Sequence, residues 1–220
     1  MSDPLKRAVI FGARRDGSAA VVLDIITLAG LYQVVGFLDD DRTLWGGQVG
    51  DLPVIGGGEA MPGLRAQGVD GLAVAVGDNR ARERVVGQAQ RAGLTPINAI
   101  HPRAVVAGAV QLGVGIWIAA GAVVNPGTVI GDGAVLNTGS TVDHDCRIGA
   151  YANVSPGCHL SGRTVIGRYA FLGTGVITLP DARIGDDAIV GAGAVVLAAV
   201  APGTTVVGVP ARFVRRHENG

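Results

Sequence analysis

Two hydrophobic rhythms divide the chain. From Ile100 onward an aliphatic residue returns at every sixth position, through Val106, Leu112 and Ile118 to Val190 and Val196, and no insertion breaks the phase. Thr178 alone departs from Ile, Leu or Val. The residue four places after each aliphatic is small or β-branched, as at Ala104, Ala122, Ser140, Cys146 and Ala152. Glycine recurs either one place after the aliphatic, as at Gly131 and Gly149, or three places after, as at Gly127 and Gly139. A period of six matches no helix, and the glycine load disfavours one. The pattern predicts a short strand and a tight turn every six residues, with the small residue and the next aliphatic pointing inward two apart. Glycine supplies the turn conformations. Three such sides close a triangular coil of about eighteen residues, and stacked coils bury one continuous aliphatic column. Spacing alone does not set the hand of that coil.

Residues 1–97 carry a different rhythm. Ala8-Val9-Ile10-Phe11 reads as a buried strand, followed by the loop Gly12-Ala13-Arg14-Arg15-Asp16-Gly17. A helix is expected from Ser18 to Ala29, ended by Gly30, and a second strand over Val34–Leu38, closed by Asp39-Asp40-Asp41. Val54-Ile55, a short helix over Glu59–Gln67, a strand at Leu72–Val76 and a helix at Arg80–Ala92 complete the set. Alternating strands and helices predict a small α/β domain with a parallel sheet, joined at Pro96 to the repeat region 98–220.

Composition sharpens this picture. Only 4% of the 220 residues are aromatic while 36 are glycine, which suits many small, similar core layers. A formal charge of zero supplies no basic field for nucleic acid or an anionic membrane. No apolar run suggests a membrane span or a signal peptide. The two cysteines, Cys146 and Cys158, fall on inward small positions and read as buried hydrophobes, not as a disulfide framework. The expectation is a cytoplasmic protein without nucleic-acid or membrane partners.

The chemistry stands out against the bland repeat at Asn137-Thr138-Gly139-Ser140-Thr141-Val142-Asp143-His144-Asp145. Val142 and Cys146 take the inward positions, so His144 lies at an outward corner between two carboxylates. A histidine beside a carboxylate is the usual form of a general base, the carboxylate fixing the ring. An exposed polar corner is the bland alternative. One coil away the same corner carries Pro126 and Gly162, and further on Pro180 and Ala198. A smooth wall beside one imidazole suits a long thin ligand, and Gly162 lets backbone approach it closely. His159 is fifteen residues from His144, so one chain does not stack the two as metal ligands, and no metal is expected. In the first third, the Gly12–Gly17 loop lacks the full G-x-G-x-x-G pattern. Phosphate binding there, with Arg14 and Arg15 on the phosphate and Asp39 or Asp40 on a ribose or base, competes evenly with a structural turn.

The combination of Gly12–Gly17 with Asp39-Asp40, Val76-Gly77-Asp78-Asn79, Asn98-Ala99-Ile100-His101-Pro102, Asn137-Thr138-Gly139 with Asp143-His144-Asp145, and Gly208-Val209-Pro210-Ala211-Arg212 resembles the bacterial nucleotide-sugar N-acetyltransferases. These are relatives of the bacillosamine and perosamine enzymes and of sialic-acid O-acetyltransferases. The resemblance implies a left-handed β-helix, a homotrimer with sites between subunits, acetyl-CoA as donor, and a nucleotide-linked amino sugar as acceptor, such as a 4-amino-4,6-dideoxyhexose. By the same resemblance His144 is the general base and Asp145 its acidic neighbour. Asn137 contacts the sugar, Gly162 donates its backbone N–H to the acetyl carbonyl, and Gly208, Pro210 and Arg212 belong to the segment closing over CoA. The first loop, with Gly12, Arg14, Arg15, Asp16 and Gly17, joins Asp39 and Asp40 in holding the nucleotide. Two residues depart from the family pattern: Asn153 and Asp16 stand where many relatives carry histidine. O-acetylation of a sugar hydroxyl is the rival enzymatic reading. A non-catalytic or metal-dependent β-helix protein is the rival of another class.

Overall fold

The computed structural model describes residues 5–14 and 17–217 and divides into two compact units, Met1–Pro102 and Arg103–Gly220. In the first unit β1 (Lys6–Phe11), α1 (Ala19–Ala29), β2 (Tyr32–Leu38), β3 (Gln48–Val49), β4 (Leu52–Gly56), α2 (Met61–Ala66), β5 (Val69–Val74), α3 (Asn79–Arg91) and β6 (Thr95–Pro96) follow one another. The sheet order is β3-β4-β2-β1-β5-β6, parallel except for the β3–β4 hairpin. The four residues Ala8 to Phe11 are buried, as their unbroken apolar run requires of a central parallel strand. The chain leaves β1 to one side for β2 and returns on the other for β5. Such a reversal opens a crevice at the carboxyl end of β1.

The expected strands and helices are present, with shifted edges. β5 begins at Val69 and not at Leu72, because Val69 and Gly71 already pair with Arg7 and Ala8. The helix expected over Glu59–Gln67 is a 3-10 turn, Gly58–Ala60, followed by α2 with Pro62 in its first turn. The β3–β4 hairpin has no alternating pattern to announce it. Pro96 lies inside edge strand β6, where its missing N–H is not needed. The compact unit continues past residue 97, since Ile97 donates to Leu72 O at 2.9 Å and both Ile97 and Ala99 are buried.

In the second unit the hexads become two-residue strands, and the aliphatic is the second residue of each, as in Val123–Val124, Val129–Ile130 and Val135–Leu136. Each strand pairs in parallel with the strands eighteen residues away: Val124 with Val106 and Val142, Ile130 with Leu112 and Ile148. Three faces result. The first carries Trp117–Ile118, Val135–Leu136 and Asn153–Val154, the second Val123–Val124, Thr141–Val142 and His159–Leu160, the third Val129–Ile130 and Arg147–Ile148. From Ile118 to Val196 the inward column is buried.

The two glycine series do different work. Gly127 and Gly139, three after the aliphatic, have φ of 76° and 66°, the left-handed turn conformation. Asp145 holds the same turn position with φ 58°. Gly149, one after the aliphatic, is required by stacking instead, since a Cβ there would lie 2.6 Å from the backbone nitrogen of Arg168 on the next coil.

Thr178, the one polar residue in the aliphatic series, is buried and fully engaged. Its hydroxyl accepts from the Ser161 N–H at 3.0 Å and lies 3.0 Å from Thr164 Oγ1, while Ser161 Oγ donates to Thr178 O at 2.7 Å. This node anchors the turn Ser161-Gly162-Arg163-Thr164. Thr178→Val leaves the Ser161 N–H without its acceptor, while the Thr164 hydroxyl keeps its bond to Ser161 O. It is expected to destabilise the protein by about 1–3 kcal/mol, measurable by chemical denaturation; unchanged stability would show that the node is dispensable.

Candidate active site

His144 sits at the corner between the second and third faces, in the turn from Thr141–Val142 to Arg147–Ile148. Its backbone is held at both the N–H and the carbonyl. Asp143 Oδ1 accepts the His144 N–H at 2.8 Å and the Asn125 amide at 2.9 Å, and the His144 carbonyl accepts from Arg163 N at 2.9 Å. The Asn125 hydrogen bond, then that from the His144 backbone, hold the Asp143 carboxyl below the usual carboxylate range. Asp143 therefore shapes the turn. Asp145 serves the ring: its Oδ2 lies 2.8 Å from His144 Nδ1. With the Nδ1 proton donated to Asp145, Nε2 carries the ring's lone pair. Both side chains stay accessible, 49% and 62% exposed. Gly127, one coil below, makes room for Asp145; a Cβ there would collide with its carboxylate.

The other ring edge faces Gly162, one coil above. A Cβ on Gly162 would lie 2.7 Å from Nε2 and 2.9 Å from Cε1. The Gly162 N–H makes no hydrogen bond among the described residues. From Gly162 the corner continues along the stack through Pro180 to Ala198. Ala198 lines a hollow of about 260 Å³ with Leu197, Thr204, Ala211, Arg212 and Phe213. The hollow is bounded by Thr204–Val207 and the antiparallel strand Arg212–Arg216. Between them Gly208 and Ala211 bond to Val195, which ties the segment to the last coil.

Asn137 begins the turn between the first and second faces, so it occupies a different corner from His144 within one chain. Its Oδ1 accepts from Thr138 N at 2.8 Å. Asn153 lies on the first face, 8% exposed, with its Oδ1 unpaired among the described residues. Neither touches the His144 corner through its own coil. His159 bonds Thr141 Oγ1 at 2.9 Å, and His101 is buried. Cys146 and Cys158 are buried free thiols whose pKa burial pushes up, as inert core residues require. Among the described residues no group of three or more His, Cys, Asp or Glu is placed to hold a metal ion. No helix there is long and apolar enough to cross a membrane.

The α/β unit contains the larger cavity, about 520 Å³, at the carboxyl end of β1. Gly12 is required there: its φ is 107°, and a Cβ would lie 2.6 Å from Ala75 O. Gly12, Arg14, Gly17, Asp39 and Asp40 all line the cavity; Arg15 and Asp16 fall outside the described residues. Asp39 faces the loop, accepting from Ala13 N at 2.8 Å and Asp41 N at 2.9 Å. Ser18 begins α1 and lines the cavity without a side-chain cap, so among the described residues the first-turn N–H groups of α1 have no capping partner. The opposite wall is one face of α3, formed by Ala81, Arg84, Val85 and Gln88 at helical spacing. Arg82 is buried beneath it and donates to Val76 O, Gly77 O and Asn79 Oδ1 at 2.9–3.1 Å. Asp78 caps the helix through Ala81 N at 2.7 Å. Arg82, Arg84 and Gln88 escaped the sequence reading because an Arg-rich helix looks like a solvated one. The i, i+3, i+4, i+7 spacing of the wall was the available signal.

Residues 163–198 match the bacterial transferase hexapeptide family, and residues 7–89 match the PglD N-terminal domain. The class is thus that of hexapeptide-repeat transferases with an appended α/β domain. PerB from Caulobacter crescentus, solved with CoA and GDP-perosamine, is 40% identical over 98% of this chain and 100% of its own, with a TM-score of 0.90. The acetyltransferase domain of PglB from Neisseria gonorrhoeae, solved with acetyl coenzyme A, is 37% identical over 96% and 100%, with a TM-score of 0.88. WeeI from Acinetobacter baumannii is 26% identical over 94% and 99%, with a TM-score of 0.81. The chain belongs to the nucleotide-sugar N-acetyltransferase family, and its repeat unit is the left-handed parallel β-helix of that family.

Gly162 makes a clean probe of the corner. It has no positive φ to strain, so Gly162→Ala is expected to keep the thermal midpoint while displacing the His144 ring. The ring's NMR signals should shift and acetyl transfer should fall at least about tenfold, the consequence of a misplacement near 1 Å. Unchanged transfer would show that the ring position is not needed.

Proposed function

We propose that the protein transfers an acetyl group from acetyl-CoA to the amino group of a nucleotide-linked amino sugar, with His144 as general base. The observation that carries this reading is the corner itself: an exposed imidazole held by Asp145 through Nδ1, with its Nε2 edge against the side of Gly162 where a Cβ would stand. The acceptor amine attacks the thioester carbonyl carbon. Nε2 takes the proton as the nitrogen–carbon bond forms, and Asp145 stabilises the resulting imidazolium. The Gly162 N–H stabilises the carbonyl oxygen as it gains charge. The CoA thiolate then leaves.

Geometry supports a track for the donor. Three coil steps of about 4.8 Å each run from His144 to Ala198, about 14 Å in all. That suits an extended pantetheine arm. The hollow at its far end, with Arg212 beside Gly208 and Pro210, suits the nucleotide end of CoA. The PglB domain, with acetyl coenzyme A bound, and PerB, with CoA bound, support the donor.

The acceptor's nucleotide is assigned to the α/β cavity, its diphosphate near Arg14, Gly17 and the open start of α1. PerB's GDP-perosamine supports an amino-sugar acceptor of the 4-amino-4,6-dideoxyhexose kind. Asn137 and Asn153 reach that sugar only if another copy supplies them. The second face, between the corners of Asn137 and His144, exposes Val105, Ile177, Leu179 and Leu197. Thr141 and His159 stand between Val105 and Ile177, and we assign this mixed face to a homotrimer whose site joins two chains.

His144→Asn keeps a smaller polar group at the corner but removes the base. It is expected to lower kcat by about 10²–10⁴-fold while leaving acetyl-CoA binding within about twofold. Turnover equal to the parent protein, followed by thiol release, would rule His144 out as the base.

A further inference from the structure

The α/β cavity has a polar end that the acetyl-transfer chemistry does not use. Asp40 and Gln88 both touch Gly58, the residue that opens the turn after β4. Asp40 Oδ1 accepts the Gly58 N–H at 3.0 Å, which fixes the carboxylate and leaves Oδ2 without a partner among the described residues. The Gln88 carboxamide packs on the other side of Gly58, its Oε1 3.2 Å and its Nε2 3.5 Å from the point where a Cβ would stand. Any side chain at position 58 would push the carboxamide aside. Val85 is 5% exposed and offers an apolar surface one helical turn from Gln88. Arg84, on the same face of α3, is exposed and has no ion-pair partner among the described residues. Carboxylate, carboxamide, apolar surface and free guanidinium thus line a single cavity of about 520 Å³.

We propose that Asp40 and Gln88 read the base of the nucleotide and that they select guanine, with Arg84 on the diphosphate. The inference rests on the assignment of the acceptor's nucleotide to this cavity. The chemistry distinguishes the bases. Guanine presents two adjacent donors, N1–H and the 2-amino group, next to the O6 acceptor. A fixed carboxylate oxygen accepts from the donors, and an amide N–H of Gln88 donates to O6. Uracil and thymine present one donor between two carbonyl oxygens, and those oxygens repel a carboxylate. Adenine has no donor at N1. Val85 packs against the ring face, and the Arg84 guanidinium meets phosphate oxygens as a fork.

The experiment is a calorimetric titration of the full-length protein with GDP, IDP, UDP, dTDP and ADP. GDP is expected to bind at least about tenfold more tightly than UDP or dTDP, the size of one charge-assisted contact. IDP, which lacks the 2-amino group, should fall between them. Asp40→Asn keeps the acceptor for Gly58 N but replaces the free oxygen by a donor. It should erase the preference by weakening GDP and not UDP. Gln88→Leu, at an exposed position, should weaken GDP and IDP together, and Arg84→Ala should weaken all five alike. Retained UDP binding by each base-edge variant reports an intact cavity. Equal affinity for GDP and UDP in the parent protein, or an unchanged ratio in Asp40→Asn, would overturn the guanine assignment alone. Failure of every nucleoside diphosphate to bind would instead overturn the placement of the nucleotide in this cavity.

Discussion

Backbone pairing between residues eighteen apart is the constraint on which the catalytic half depends. Val124 meets Val142, Val142 meets Leu160, and the inward column admits no insertion without losing its register. Because the column is fixed, every corner is fixed as well. His144 must stand under Gly162, and Gly162 under Pro180. The imidazole is placed by aliphatic packing several residues away, and the local polar contacts only finish its orientation. Asp143 shapes the turn, Asp145 holds Nδ1, and Gly127 with Gly162 clears the space on either side. Two carboxylates flanking one histidine thus do unlike work, and the order Asp-His-Asp alone does not say which does which.

The α/β unit follows another logic. Its crevice exists because the chain reverses direction on either side of β1, and because Gly12 lets β1 pass within contact of Ala75. Buried Arg82 then pins the Val76–Gly77 carbonyls to the start of α3. That charge is tolerated because several acceptors surround it. The result is a cavity with an open helix start on one wall and a mixed apolar and polar helix face on the other.

Legibility in the sequence tracked the strength of the repeat. Seventeen hexad positions from Ile100 to Val196 each became the end of a strand, since a period without insertion leaves little freedom. The corner of His144 and its neighbour Gly162 followed from counting alone. What counting treated as one glycine role proved to be two, turn conformation at Gly139 and close stacking at Gly149, because a one-dimensional period cannot show what lies above a residue. Thr178 looked like a defect and is a hydrogen-bonded node. In the first third, short strands without alternation hid the β3–β4 hairpin. Tertiary pairing moved the start of β5 to Val69. Arg84 and Gln88 were passed over because helical amphipathicity does not distinguish solvent from a cavity.

The proposed reaction makes one chemical demand, a proton removed from an attacking amine. The most direct measurement compares CoA release by the intact protein on two versions of one nucleotide-linked 4,6-dideoxy sugar, with an amino or a hydroxyl group at carbon 4. Acetyl transfer to nitrogen predicts thiol release with the amino sugar and about a hundredfold less with the hydroxyl sugar, in line with a site built around one polar group. Equal rates on the two sugars, or release with the hydroxyl sugar alone, would contradict it.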